Sequence, residues 1–114
     1  MIFVQAPFQP LSVNKAWQGR RFKTDDYKSY EKIAHLLLPK CDMVRGFVEI
    51  WYEFGLPPRS YGISDVGNLE KCLSDIVVQK KYIEDDRKIV AMHLRKVESP
   101  EYYIKIEIRK WKKK

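Results

Sequence analysis

Residues 102–109 alternate without interruption: Tyr102, Ile104, Ile106 and Ile108 on one side, Tyr103, Lys105, Glu107 and Arg109 on the other. A period of two puts the isoleucines on one face of a β-strand and the charges on the opposite face. Such a strand is stable only within a sheet whose apolar face is covered by another layer. Other stretches supply the partners. Phe47 to Phe54 is rich in strand formers, with Val48, Ile50, Tyr52 and Phe54 as its more apolar face. Residues 2–6 read as a short strand ended by Pro7 and Pro10, and Lys88 to Val97 as a strand joined to Tyr102–Trp111 by a turn near Ser99-Pro100. Two stretches carry helical period. Thr24 is a plausible N-cap, Asp25 and Asp26 suit a first turn, and Tyr27 to Leu38 continues with Tyr30, Ile33, Ala34 and Leu37 as apolar recurrences until Pro39. Residues 65–80 read as the second helix; residues 10–23 and Gly55 to Gly62 read as loops. The order β-α-β-α-β-β predicts an α+β domain, a small mixed β-sheet with helices packed on one face.

At 114 residues the chain is expected to form one domain, residues 1–114. Apolar runs are only a few residues long, against the roughly 20 that a membrane-spanning helix needs. The start, Met1 to Pro7, is not expected to act as a signal peptide. Cys41 and Cys72 form no CxxC pair and cannot by themselves build a structural zinc site, so reduced thiols and a cytoplasmic location are expected, with a single disulfide as the lesser alternative. The formal net charge of +7 is unevenly spread: residues 1–86 hold 12 basic and 12 acidic side chains, residues 87–114 hold 10 and 3. The basic end, Arg109-Lys110-Trp111-Lys112-Lys113-Lys114, fits a polyanionic partner or a solubilising tail equally well on charge alone. Lys15, Arg20, Arg21 and Lys23 add a second basic segment around Trp17, an aromatic suited either to stacking on a base or to anchoring the loop.

The segment that carries chemistry is Asp65-Val66-Gly67-Asn68-Leu69-Glu70-Lys71, then Asp75, then Asp85-Asp86 ten residues further on. On a helical wheel Val66, Leu69, Cys72, Leu73, Ile76 and Val77 make one apolar stripe. Asn68, Lys71 and Asp75 project beside it, with Asp65 at the helix entrance. Oxygen donors of this kind suit a hard cation, which takes one or two carboxylates plus waters and phosphates, and Lys71 offers a point charge to a phosphate oxygen. Taken singly, each residue also has an ordinary role: Asp65 as an N-cap, Asp75 on a solvated helix face, Asp85-Asp86 in a turn. His35 and His93 fit core-edge or surface positions, and no glycine-rich phosphate loop is present.

This pattern resembles the RusA-type Holliday-junction resolvases, whose hallmark is D-x-D-N-x-x-K, an Asp four residues on, and D-D about ten residues later. The N-terminal part is similar as well: Pro10-Leu11-Ser12-Val13-Asn14 matches a P-x-S-x-N-like segment ahead of a basic loop and a helix. The resemblance covers almost the whole chain. It implies a RusA-like fold and a homodimer of bacterial or phage origin. It also implies cutting of four-way junction DNA by paired nicks in recombination and repair, with Mg²⁺ or Mn²⁺ and no small-molecule cofactor or membrane. By resemblance, Asp65, Asp86 and Asp85 would hold metal, and Asp65, Lys71 and Asp86 would form the catalytic set. Asn68 and Asp75 would support it, and Asn14, Lys15, Trp17, Arg20, Arg21, Lys23, Lys112 and Lys113 would bind DNA. One departure stands out: the family's second acidic ligand falls on Gly67, which has no side chain. Glu70 lies on the far side of the wheel from Asn68 and Lys71 and is not expected to substitute without rearrangement. The departure motivates a second reading, a junction-binding protein that does not cut. A small basic RNA-binding protein ranks below both, because the chain lacks an RNP-like aromatic pattern and a GXXG loop.

Overall fold

The structure is a computed structural model that describes residues 1–18 and 22–112. In chain order it comprises β1 (Ile2–Ala6), α1 (Val13–Ala16), β2 (Trp17–Gln18), β3 (Phe22–Lys23), α2 (Asp25–Leu37), β4 (Val48–Leu56), α3 (Pro58–Ile63), α4 (Val66–Gln79), a 3-10 turn (Asp86–Lys88), β5 (Ile89–Glu98) and β6 (Tyr103–Lys110). The α+β class and the order of the main elements are as expected. The four long strands form one mixed sheet in the order β1-β6-β4-β5, and β2 and β3 make a separate two-stranded ribbon. Strand β4 is central, antiparallel to β6 and parallel to β5. A parallel pair needs a crossover, and the segment carrying α3 and α4 supplies it.

The alternation in the strands decides which face is covered. Ile104, Ile106 and Ile108 are fully buried, and so are Val48, Ile50, Tyr52 and Phe54 beside them. Full burial of each such aliphatic side chain is worth roughly 1.5–3 kcal/mol. Helix α4 covers this face with Leu69, Cys72, Leu73, Ile76 and Val77, and α2 with Tyr27, Tyr30 and Ala34. The opposite face carries Trp51, stacked on His93, and Glu53, paired with Arg95 and Lys105. Glu53 is buried, which alone would raise its pKa; hydrogen bonds from Tyr103 and Arg95 and the nearby cationic charges hold it below the usual carboxylate range instead.

Strands β5 and β6 are joined near Ser99-Pro100 as expected, but they are not neighbours in the sheet; β4 lies between them. Three expectations need correction. Residues 10–23 are not wholly a loop, since Val13–Ala16 is helical and packs against α4. The Gly55–Gly62 stretch is ordered: β4 runs on through Gly55 and Leu56, and Pro58 opens α3. On α2 the buried residues are Tyr27, Tyr30 and Ala34, whereas Ile33 and Leu37 are 44% and 40% exposed. The tyrosines, reaching across the interface with α4, displace the aliphatic pair from it. The Thr24 cap is as expected, its Oγ1 accepting from the Tyr27 N–H at 3.2 Å.

Candidate active site

Asp65 is the N-cap of α4, and its Oδ1 accepts the Gly67 N–H at 2.9 Å. Its chemistry is therefore first that of a helix start, where a carboxylate satisfies an orphan N–H and complements the helix dipole. The approach to this cap is fixed from β5. Lys96, on the helix side of the sheet, donates to the carbonyls of Tyr61 (2.6 Å) and Ser64 (3.0 Å) and lies over the Tyr61 ring. Lys96 thereby ties down the residue immediately before Asp65.

From that start α4 presents Glu70, Lys71, Ser74 and Asp75 to a cleft of about 390 Å³, and Asp86 reaches the same cleft from the turn before β5. Val13 of α1 and Met92 of β5 add apolar wall, so the Pro10–Asn14 segment is brought to the site through Val13. Asp65, Asn68 and Asp85 are not part of the cleft wall. Asp85 caps the 3-10 turn, its Oδ1 accepting the Arg87 N–H at 3.1 Å. The two adjacent aspartates titrate as a pair. A hydrogen bond to Asp85, a slight loss of solvation and the negative charges of Asp85 and Asp75 raise the Asp86 pKa; the same bond and the Arg87 N–H lower that of Asp85.

Two buried tyrosine hydroxyls reach the carboxylates from behind. Tyr27 of α2 donates to Asp75 Oδ2 at 2.6 Å. Tyr52 of β4 lies 3.0 Å from Ser74 Oγ, which donates to Glu70 Oε2 at 2.6 Å. Because the serine proton is committed to Glu70, Tyr52 is the donor in its own bond with Ser74. Burial, then the bond to the Asp75 carboxylate, pushes the Tyr27 pKa far up; burial does the same for Tyr52. Cys72, between these groups, is a free thiol pushed up to about 11 by burial and then by the surrounding carboxylates.

Sequence reasoning thus located Lys71, Asp75 and Asp86 at one place and missed Glu70, Ser74, Tyr27, Tyr52 and Lys96 as groups that bear on it. What the structure corrects for Glu70 is its direction alone. The residue borders the cleft together with Lys71, because α1 and Asp86 stand over the flank between the buried stripe and the solvated face. A signal existed in Ser74, a polar residue buried on the stripe one turn after Glu70. Asn14 and Lys15 are exposed on α1, and Lys23 is held by Glu31 at 2.9 Å and lies over the Tyr27 ring. Arg20, Arg21 and Lys113 lie outside the described residues, as does the side chain of Trp17. His35 and His93 are exposed, against Gln79 and Glu49.

Residues 7–109 match the endodeoxyribonuclease RusA family. The chain belongs to this family. No curated protein matches it. Membership in the RusA family implies endodeoxyribonuclease activity of the Holliday-junction-resolving kind. The matched span includes the whole cleft, from Val13 to Met92. Within this RusA-family site, among the described residues, no three acidic, histidine or cysteine side chains already gather at metal-ligating distance. The carboxylates and the hydroxyl that face the cleft offer oxygen donors, with Lys71 and the mostly buried Cys72 thiol beside them. That set matches a cation that takes one or two carboxylates and completes its shell with water and phosphate.

Proposed function

We propose that this RusA-family chain is a divalent-cation-dependent endonuclease that resolves four-way DNA junctions as a homodimer, with Lys71, Asp86 and Asp75 at the centre of its site. The observation that supports this reading best is the convergence of Lys71 and Asp75 from α4 with Asp86 from a turn ten residues later, all on one cleft. Asp86 would hold Mg²⁺ or Mn²⁺ from the cleft; Asp65 and Asp85, engaged as caps outside the cleft wall, would join it only by turning away from their N–H partners. The cation, when bound, supplies charge neutralisation on the phosphodiester and a nucleophile at neutral pH. Lys71, exposed at the cleft rim, meets a phosphate oxygen and offsets its developing charge. Tyr27 fixes Asp75 so that its second oxygen keeps a constant direction. A two-fold dimer would present two such sites to a substrate of matching symmetry.

Gly67 favours a second reading, a protein that binds junctions without cutting them. A labelled four-way junction incubated with Mg²⁺, with Mn²⁺ and with chelator separates the two. Paired symmetric nicks are expected with either cation and none with chelator or on matching duplex. Asp86→Asn and Lys71→Ala are each expected to slow nicking by about 100-fold or more. Nicking by Lys71→Ala at the unaltered rate would sink the assignment. Tight junction binding with no nicks under either cation would establish the binding protein.

A further inference from the structure

We propose that Glu70 supplies the carboxylate that Gly67 lacks, and that Tyr52 and Ser74 hold it in place; the inference rests on the metal-dependent reading above. Gly67 presents no donor, and a Cβ built there meets only Asp65 Oδ1, at 3.3 Å. Glu70 is one helical turn further on. Residues three apart on a helix are surface neighbours, with Cβ atoms about 5–6 Å apart. The Glu70 Oε2 accepts from Ser74, one turn on, which leaves Oε1 as the oxygen to offer a cation. A glutamate, longer than aspartate by one methylene, suits a donor displaced by one turn. Glu70 lines the cleft beside Lys71, Asp75 and Asp86, whereas Gly67 does not.

A second observation concerns what lies behind Glu70. Ser74 is 7% exposed and Tyr52 1% exposed, on a helix stripe and a strand face that are otherwise apolar. Burying two hydroxyls is costly unless each is hydrogen-bonded. Both are satisfied by one directed chain, Tyr52 to Ser74 to Glu70, which ends on Oε2 of the carboxylate. Such a chain restricts the glutamate's rotamers and fixes its orientation, as outer groups do for metal-ligating carboxylates. Asp75, on the same cleft, receives its own buried tyrosine. Among the described residues neither Glu70 nor Asp75 forms an ion pair with Lys71, so their charges remain available to a cation.

The test is Mn²⁺ binding by the full chain without DNA, followed by calorimetry and by electron paramagnetic resonance of free Mn²⁺, with thermal melting in parallel. Glu70→Gln keeps an acceptor for Ser74 but removes the charge. It is expected to weaken Mn²⁺ binding by about tenfold or more with its melting temperature nearly unchanged. Ser74→Ala is expected to weaken binding less than Glu70→Gln does. Gly67→Asp added to Glu70→Gln is expected to restore affinity, since it returns a carboxylate one turn away. If Asp86→Asn weakens Mn²⁺ binding but Glu70→Gln does not, Glu70 is only a structural acceptor and this inference fails while the metal-dependent reading stands. A wild-type chain that binds no Mn²⁺ overturns both. Failure of Gly67→Asp to restore affinity would refute the exchange of roles between the two positions.

Discussion

Tyr27 and Tyr30 sit one turn apart on α2, both at most 5% exposed, yet their hydroxyls have different surroundings. Tyr27 donates to Asp75, whereas among the described residues the Tyr30 hydroxyl has no hydrogen-bond partner. A buried unpaired hydroxyl costs desolvation without return, while a made bond to a carboxylate is worth about 1 kcal/mol or more. Tyr30→Phe is therefore expected to leave stability unchanged or raise it, and Tyr27→Phe to lower it by about 1 kcal/mol. Urea melts of the two variants check this; equal losses would contradict the assignment of partners. At this scale the sequence was informative about residue type and uninformative about direction. The Asp65, Lys71, Asp75 and Asp86 positions were legible because helical spacing and family pattern both mark them. The direction of Glu70 was not. Asp65 was readable both as a ligand and as the N-cap it forms, whereas Glu70 reads as misdirected and borders the cleft. A wheel gives angles about one helix but not the neighbours, here α1 and the Asp86 turn, that decide which flank is enclosed.

Helix α4 ends at Gln79 with Lys80 as its C-cap, and the next residue, Lys81, has φ of 60°. The Tyr82 N–H bonds the Val77 carbonyl and the Lys81 N–H bonds that of Val78, both at 3.0 Å. This six-to-one and five-to-two pairing is a Schellman ending, in which the left-handed position is usually glycine. A lysine there bears a steric cost of about 1–2 kcal/mol that glycine avoids, part of which the freer unfolded chain takes back. Lys81→Gly is thus expected to stabilise by roughly 0.5–1 kcal/mol, measured as a raised midpoint of thermal or urea unfolding; a lowered midpoint would show that the Lys81 side chain has a role of its own. Element existence was legible where local chemistry is strong, as in the Thr24 and Asp65 caps, the Pro39 stop and the alternation of residues 102–109. Pairing was not. A four-residue link between β5 and β6 suggests a hairpin, but it also spans the two strand spacings, about 10 Å, needed to pass over the end of β4. Ser99, in that link, donates its N–H to the Leu56 carbonyl at the end of β4, at 2.8 Å. Only the central position of β4, whose helix-facing residues Val48, Ile50, Tyr52 and Phe54 are all buried, separates the alternatives.

On the scale of the whole molecule, the sheet register brings together two features far apart in the chain. Val48, at the start of β4, is opposite Ile89 of β5 on one side and Lys110 of β6 on the other. Asp86 lies in the turn that leads into Ile89, so the acidic cleft and the basic C-terminal segment occupy the same end of the sheet. Trp111 extends this ladder, its N–H donating to the Phe47 carbonyl at 2.9 Å, and Lys88 lies over the Phe47 ring. The excess of positive charge in residues 87–114 was plain in the sequence; its placement at the same end of the sheet as Asp86 required the register. Phosphate binding and solubility make different predictions for this segment, and salt dependence separates them. Each lysine that neutralises a phosphate releases condensed counterions and adds about 0.9 to the slope of log affinity against log salt. The double variant Lys110→Ala, Lys112→Ala is therefore expected to bind a four-way junction more weakly at moderate salt, with a slope shallower by about 2. At saturating protein its nick positions are expected to match the wild type, whereas Lys71→Ala should bind with nearly normal affinity and fail to nick. Fluorescence anisotropy from low to moderate salt, paired with a single-turnover assay, reads both quantities. An unchanged slope would assign the basic end to solubility and leave phosphate binding to α1 and the segment that follows it.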